Sequence, residues 1–246
     1  MRVKTRFTQE RMEGTWLDRS WVGLFLCLAA TVGFFLVRRL GDSPGLLATG
    51  FMGGWVLSDL VSGTVHWAGD TWGNAEFPVL GPKLIRPFRE HHYDPKSITQ
   101  HDFFDVNGTN CLLCIPQLIA CLALGPASAG TARLFAITVL WSLGFWTFIT
   151  NQAHKWAHQD VNPAWVRALQ RLWILLPPAE HAKHHQLPFS KYYCITTGWL
   201  NPVLTRLDVF GRLERGIHAA TGWVPRQEED TCRPKGYEPD SPCPTA

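Results

Sequence analysis

The chain has 246 residues, and its 23 lysines and arginines against 20 aspartates and glutamates give a formal net charge of +3 at pH 7. So small a charge, with no basic stripe interleaved with aromatic residues, argues against nucleic-acid binding. The seven cysteines are odd in number and several lie in apolar runs, which excludes a disulfide framework. Twelve tryptophans instead favour a membrane–water interface, because an indole ring has an apolar face and a wet edge.

Two apolar runs near the N-terminus predict transmembrane helices. The first, 21–37, has no charged residue and follows about twenty mostly polar residues, which disfavours a cleaved signal peptide. The second, 45–65, is interrupted only by Asp59. Its Gly50-x-x-x-Gly54 spacing would allow another helix to approach closely.

Two further runs, 110–125 and 134–150, predict a second hairpin of spans, in which Pro116 would kink or shorten the first. Four spans place both termini on one face. All but three of the 23 lysines and arginines then lie on that face, so the positive-inside tendency predicts that it is cytoplasmic. The N-terminal segment 1–20 and every histidine would share this face.

Three shorter stretches need separate interpretations. Cys111 and Cys114 spell CxxC, but two small apolar residues one turn apart on a membrane helix explain them better than a redox or zinc site does. Residues 163–176 have apolar side chains at helical spacing, which predicts a helix lying in the interface or packed on a soluble layer. The polar segment 226–246 predicts a disordered tail.

Nine of the ten histidines lie between positions 66 and 185. Many of them recur at helical spacing, so that they share one helix face. The clusters are His66 with Asp70, Asn151 with His154 and His158, and His181 with His184 and His185. The pair His91-His92 and His101 lie between the first two clusters. A solvated helix face would explain one such cluster, but it does not explain three clusters and a pair facing one compartment.

The number of histidines indicates more than one metal ion. Neutral imidazole suits Zn, Cu, Fe and Ni, but a zinc site takes only three or four protein ligands. A mononuclear iron site needs two histidines and a carboxylate. Two metal ions sharing about nine nitrogens and one carboxylate, with positions left for dioxygen, accommodate the count. His101 could also lie beside a metal ligand or on the surface instead of binding metal itself. His218 is explained as a single hydrogen-bonded histidine at the membrane interface.

Sequence signatures of several other enzyme classes are missing. P-loop and GxGxxG patterns do not occur, so an NTPase and a Rossmann-type enzyme lack support. HExxH is absent too, which weighs against a metalloprotease. Since no flavin or nicotinamide site is visible, any electrons must come from a separate donor protein.

Six motifs occur in order along the chain: HWAGDTWG (66–73), RPFREHHYDPKSITQHDF (86–103), NGTNC (107–111), NQAHKWAH (151–158), HAKHH (181–185) and YCITTGWLNP (193–202). Through these motifs residues 45–225 resemble the Kua-type lipid desaturase domain family. The resemblance implies an all-α integral membrane protein with about four transmembrane helices and a cytoplasmic, histidine-rich helical cap that holds a dinuclear metal site. Residues 21–225 would form this single domain.

The resemblance also implies an activity. The enzyme would use two iron ions, O2 and two electrons to introduce the 1Z vinyl-ether double bond into the sn-1 O-alkyl chain of plasmanylethanolamine, an ether phospholipid of the bilayer. The electrons would come from cytochrome b5 or a bacterial equivalent. The protein would lie in the endoplasmic reticulum of a eukaryote or the inner membrane of a bacterium.

Metal-site positions follow from the same resemblance. They are His66, Asp70, His91, His92, His101, His154, His158, His181, His184 and His185. A second HxxHH box at 88–92 is incomplete, because Phe88 occupies its leading position, and His101 is the candidate for the missing ligand. Lys83, Arg86 and Arg89 would bind the lipid phosphate, although the positive-inside bias explains them equally well.

Two other functions compete with this one. An acyl-lipid desaturase or hydroxylase of the same di-iron class would need a similar ligand set. A non-catalytic metal-binding membrane protein, such as a transporter or sensor, calls for polar groups within the spans. Asp59 is the only ionisable residue in the four apolar runs, which disfavours transport.

Overall fold

A computed structural model describes residues 13–78, 81 and 85–226 of the chain. Lys83, most of the N-terminal segment and nearly all of the polar tail therefore lie outside the described residues. Within them the secondary structure is helical, with nine α-helices, a short 3₁₀ turn at Ser97–Gln100 and no strand. In chain order the helices are α1 (Trp16–Arg38), α2 (Pro44–Thr71), α3 (Arg86–Tyr93), α4 (Phe103–Ala123), α5 (Thr131–His158), α6 (Ala164–Arg171), α7 (Pro178–His181), α8 (Asn201–Arg206) and α9 (Val209–Thr221).

Among the described residues, α1, α2, α4 and α5 are long and apolar enough to cross a membrane, which confirms the prediction of an all-α protein with four spans. The helices extend beyond the apolar runs. Helix α2 continues through His66 and Asp70, and α5 continues to His158, because backbone hydrogen bonding does not stop where hydropathy falls. Pro116 lies inside α4, which remains a single helix.

Two compact units divide the chain, and the first comprises residues up to Ser58 together with Lys96–Lys155. In this unit α1 and α4 pack through a core that includes the fully buried side chains of Phe25 and Leu118. The predicted close approach at the GxxxG spacing is present. A Cβ added to Gly50 would lie 2.9 Å from the Cβ of Thr138, and one added to Gly54 would clash with the carbonyl of Val139.

The CxxC cysteines lie in the same core of the first unit. Cys111 is fully buried and Cys114 nearly so, and both are free thiols packed among apolar side chains. Their surroundings therefore agree with the packing interpretation of this motif.

The second unit comprises Asp59–Pro95 and the residues from Trp156 onward. It contains the last three turns of α2, together with α3 and α6 to α9. Trp67, Tyr193 and Phe210 form its buried aromatic cluster, and the indole N–H of Trp67 donates to Glu214 at 2.7 Å. This packing joins the end of α2 to α9 and to the segment that precedes α8.

The helices of the second unit differ in two places from the sequence-based predictions. The helix predicted over 163–176 ends at Arg171, and Trp173 adopts a left-handed backbone with φ +58°. In HAKHH, α7 ends at its first histidine, and the chain continues as tight turns. In one of them His184 N–H donates to His181 O at 2.9 Å, an i to i+3 bond that still keeps the histidines close together.

Candidate metal centre

Four side chains of the second unit converge in a set that we term the carboxylate group: His66, Asp70, His92 and His184. One ligand atom from each lies within 4.8 Å of the others. His66 and Asp70 are one turn apart on α2, while His92 comes from α3 and His184 from the turn after α7. All four are at most 4% exposed. Three separate stretches of sequence thus deliver donors to one enclosed point.

The buried carboxylate lies at the centre of this group. Its Oδ2 atom is 3.3 Å from His92 Nε2, 3.4 Å from His66 Nε2 and 3.6 Å from His184 Nε2. In the part of the chain that the structure describes, neither oxygen of Asp70 accepts a hydrogen bond. An ionised carboxylate in an apolar environment is unfavourable without a compensating partner, and a bound cation would supply one.

Backbone carbonyls fix the orientation of two of the imidazoles. His66 Nδ1 is 3.1 Å from the carbonyl oxygen of Tyr193, and His184 Nδ1 is 2.8 Å from that of Lys191. Because a carbonyl only accepts, each Nδ1 carries the proton, and each Nε2 lone pair faces the interior of the group. Burial lowers the pKa of His184 to about 3, so this ring is neutral at pH 7, as a metal ligand must be.

A second set, which we term the all-histidine group, contains His91, His158, His181 and His185. Their ligand nitrogens also lie within 4.8 Å of one another. The Nε2 atoms of His91 and His158 are 2.9 Å apart, and those of His181 and His185 are 3.1 Å apart. His154 lies one turn before His158 on α5, so helix spacing offers a fifth nitrogen on the same face.

The separations within both groups fit metal ligation. Two nitrogens that each lie about 2.1 Å from one metal ion, at right angles to each other, are about 3.0 Å apart. The Nε2 atoms of His92 and His184, in the carboxylate group, are likewise 3.0 Å apart. Imidazole and carboxylate donors suit iron and zinc. The donor sets therefore fit a metal ion in each group.

The two groups are neighbours within the second unit. The ring centroid of His185 lies 5.4 Å from that of His184 and 5.8 Å from that of His92. The rings of His181 and His184 are also stacked, with centroids 5.7 Å apart. This arrangement can hold two metal ions side by side, with histidines of adjacent groups in contact.

His101 and His218 have other surroundings. His101 belongs to the first unit, where its Nδ1 lies 2.5 Å from Asp105 Oδ2 and its carbonyl accepts from Lys155. Among the described residues it is a member of neither group, so its ligand role stays a prediction. His218 is exposed on α9 and donates from Nδ1 to the carbonyl of Trp223.

The two described arginines of the predicted phosphate site already have protein partners. Arg86 forms an ion pair of 3.1 Å with Glu76, which is exposed. Arg89 donates to the carbonyls of Trp72 and Gly73, both at 2.9 Å, and so satisfies backbone acceptors just beyond the end of α2. Their contact with a lipid phosphate stays a prediction.

The sequence analysis names residues 193–202 as a family motif but assigns the segment between Lys191 and Leu200 no role at the site. Its carbonyls orient two histidines, and several of its amides donate to the side chain of Asp59. The signal in the sequence that could have indicated this role was Asp59, the ionisable residue within the second apolar run. Such a residue in a span indicates a function or a specific partner.

Comparison with known proteins agrees with this geometry. A family model described as the lipid desaturase domain matches residues 55–228. Plasmanylethanolamine desaturase of Myxococcus xanthus is 48% identical over 211 residues, which cover 82% of this chain and 74% of that protein. Plasmanylethanolamine desaturase 1 of Mus musculus is 39% identical, covering 86% and 80%.

A more distant relative has a different name. Fatty acid desaturase 4, chloroplastic, of Arabidopsis thaliana is 34% identical, with 86% of this chain and 65% of that protein covered. No solved structure matches the chain. The family match covers both ligand groups and more than half of the sequence. The chain therefore belongs to the lipid desaturase domain family, and it is a membrane lipid desaturase.

Proposed function

We propose that this protein is a di-iron desaturase that converts plasmanylethanolamine to plasmenylethanolamine by introducing the 1Z double bond into the sn-1 O-alkyl chain. The observation that carries the proposal is the pair of adjacent ligand groups in the second unit. The names and identities of the Myxococcus xanthus and Mus musculus relatives support the choice of an ether lipid over other lipids.

The proposed ligands are the histidines of both groups together with Asp70 and His154. Bound iron would supply the activation of dioxygen that breaking an unactivated C–H bond requires, because amino-acid side chains cannot supply it alone. Asp70 contributes the only negative charge of the carboxylate group, which offsets part of the charge of a cation. The imidazoles contribute the remaining donors.

The reaction needs an external reductant to balance. The alkyl chain loses one hydrogen from C1 and one from C2, which removes two electrons and two protons. Two further electrons and two protons from the donor side complete the reduction of O2 to two waters. Cytochrome b5, or an equivalent protein in a bacterium, is the proposed donor, since the sequence has no flavin or nicotinamide motif of its own.

Aromatic side chains around the carboxylate group exclude water from it. The ring of Phe189 stacks on His92 with centroids 4.7 Å apart, and that of Phe88 lies 4.8 Å from His66. Phe189 is itself only 3% exposed. A dry, apolar surrounding protects a reactive oxidant from side reactions and favours contact with an alkyl chain.

We place the ligand groups on the cytoplasmic face, in the endoplasmic reticulum or in a bacterial inner membrane. Four helices able to cross a membrane and the bias of lysine and arginine support this orientation. The phosphate of the lipid would lie near the segment of Lys83, Arg86 and Arg89. Arg86 is the better candidate of the two described arginines, because its present partner Glu76 is exposed and exchangeable.

The test is lipid mass spectrometry of plasmalogen-deficient cells that express the chain and receive an alkyl-ether phospholipid. We expect an acid-labile vinyl-ether product with the intact protein and none with His184→Ala. His218→Ala is the matched control, because it removes an exposed histidine outside both groups. It should retain full activity.

An acyl-lipid desaturase is the second candidate, and the Arabidopsis relative named fatty acid desaturase 4 favours it. A new acyl double bond or a hydroxyl group would not be cleaved by mild acid. Finding either product in place of the vinyl ether, from folded protein with metal bound, would replace the proposed substrate. Metal binding without any lipid product, in the presence of a working donor, would favour a non-catalytic metal-binding protein.

A further inference from the structure

We infer that Asp59 is a positioning residue for the carboxylate group, acting through the backbone of residues 191–200, which we term the orienting loop. The inference deepens the proposed function and rests on it. Asp59 is fully buried on α2, almost two turns before His66. It touches neither group directly, so its effect would travel through the loop.

One carboxylate holds three residues of the orienting loop. Asp59 Oδ1 accepts from the amides of Thr197 and Gly198, both at 2.9 Å, and Oδ2 accepts from the amide of Leu200 at 3.1 Å. Hydrogen bonds to an ionised acceptor are roughly twice as strong as neutral ones. Three of them compensate a buried charge that would otherwise be costly within a span.

Neighbouring polar residues hold two more residues of the loop. Ser62 Oγ, from the next turn of α2, accepts from the amide of Ile195 at 3.1 Å. The side chain of Asn201 forms hydrogen bonds with both backbone groups of Cys194: it accepts from the amide at 2.8 Å and donates to the carbonyl at 3.0 Å. The stretch from Cys194 to Leu200 is therefore attached to α2 and α8 at five of its seven residues.

The two carbonyls that orient ligands lie in the same loop, within three residues before this attached stretch. Tyr193 O accepts from His66 Nδ1, and Lys191 O accepts from His184 Nδ1. Both histidines belong to the carboxylate group. Partners of this kind set the tautomer and direction of a ligating imidazole, and losing one costs about 10- to 100-fold in metal affinity or activity.

These three contacts fit an aspartate better than either of its near relatives, asparagine and glutamate. In Asp59→Asn one acceptor oxygen becomes an NH2 donor, which would face a backbone N–H with no acceptor between them. A glutamate would be one methylene too long for a site in which the side chain is fully enclosed. Neither replacement can hold Thr197, Gly198 and Leu200 together.

The experiment compares the intact chain with Asp59→Asn, both purified in detergent and loaded with Fe(II). Release of iron to a ferrous chelator is followed over time. We expect one of the two iron ions to be released at least tenfold faster in the variant, while the other keeps the rate of the intact chain. In metal-free protein, hydrogen exchange of the amides of residues 197–200 should rise at least tenfold.

Two further variants keep the result interpretable. Gln117→Ala removes a polar contact between spans of the first unit, where Gln117 Nε2 donates to Leu140 O at 3.0 Å. It should change neither iron release nor exchange of the loop amides. Ser62→Ala removes a single neutral hydrogen bond to the loop, so it should raise the rate of iron release and the rate of loop-amide exchange by about threefold each. It replaces Asp59→Asn as the test variant if that variant fails to fold.

An equal increase in the release rates of both iron ions would overturn the inference, because it would indicate a general structural role for Asp59. Faster loop exchange with unchanged iron release would overturn it too, since the loop would then not control the ligands. An intact chain that binds no pair of iron ions would refute the proposed function instead. Exchange in the metal-free protein would still decide whether Asp59 holds the loop.

Discussion

The two ligand groups differ in charge and in enclosure. The carboxylate group is buried at every member, contains Asp70, and has two imidazoles oriented by backbone carbonyls. The all-histidine group contains no carboxylate, and His158 and His185 are partly accessible. Two metal ions bound side by side would therefore be inequivalent. One would meet a negative charge in a rigid, dry setting, and the other would be closer to solvent.

The largest effect is expected for Asp70→Ala, because it removes the feature that distinguishes the groups. The carboxylate group would keep three imidazole donors and lose the charge that offsets a cation. We expect product formation to fall at least 100-fold and bound metal to drop by about one ion per chain. Metal analysis and lipid mass spectrometry of the same preparation measure both.

Glu76→Gln serves as the control for this charge, since Glu76 is exposed and pairs with Arg86. It should leave metal content and product formation within about twofold of the intact chain. Loss of both metal ions in Asp70→Ala would contradict two separable groups.

An intermediate effect is expected for His101→Ala, which tests whether the all-histidine group needs a ligand from outside. His101 pairs with Asp105 in the first unit. If the group is complete without it, product formation should fall less than tenfold and bound metal should not change. A loss of metal as large as that in His158→Ala would instead support the ligand role that the family resemblance implies.

The smallest effect concerns pH and the metal-free protein. Burial lowers the pKa of His184 to about 3 and, together with neighbouring histidines, also lowers that of His185. In the unfolded chain both titrate near 6.5. Below that pH the unfolded state binds protons that the folded state excludes, so the free energy of unfolding is at its full value above pH 6.5 and decreases as the pH falls.

We therefore expect the melting temperature of metal-free protein to be several degrees lower at pH 5.5 than at pH 7.5. His218→Ala, which lacks only an exposed histidine, should show the same decrease. A melting temperature that does not change between these two pH values would mean that the imidazoles of both groups are already charged or solvated. Their enclosure would then not distinguish the two groups.

Much of the architecture was predictable because it depends on local composition and on the spacing of side chains along a helix. A run without charges over the length of a bilayer predicts a span whatever it packs against, and four such runs became four helices. The i to i+4 spacing of His66 and Asp70 predicted a shared helix face, and both residues do contribute to one group. The ends of the spans were less predictable, since polar residues continue a helix without raising hydropathy.

The grouping of the histidines was not predictable in the same way. His91 and His92 are adjacent in sequence yet belong to different groups, as do His184 and His185. Adjacent residues on a helix or in a turn point in different directions, and which neighbour each one meets depends on how α2, α3 and α7 pack. No spacing rule within one segment contains that information.

The sequence alone determined the four spans, the family and the supply of metal-ligating side chains, because these follow from local composition and ordered motifs. Tertiary structure alone decided which donors meet, and that a buried aspartate of the second span holds the loop that orients two of them. The reason is physical. A metal centre of this kind is assembled from residues more than 100 positions apart, and the packing of the helices, not the period of any one of them, sets those distances.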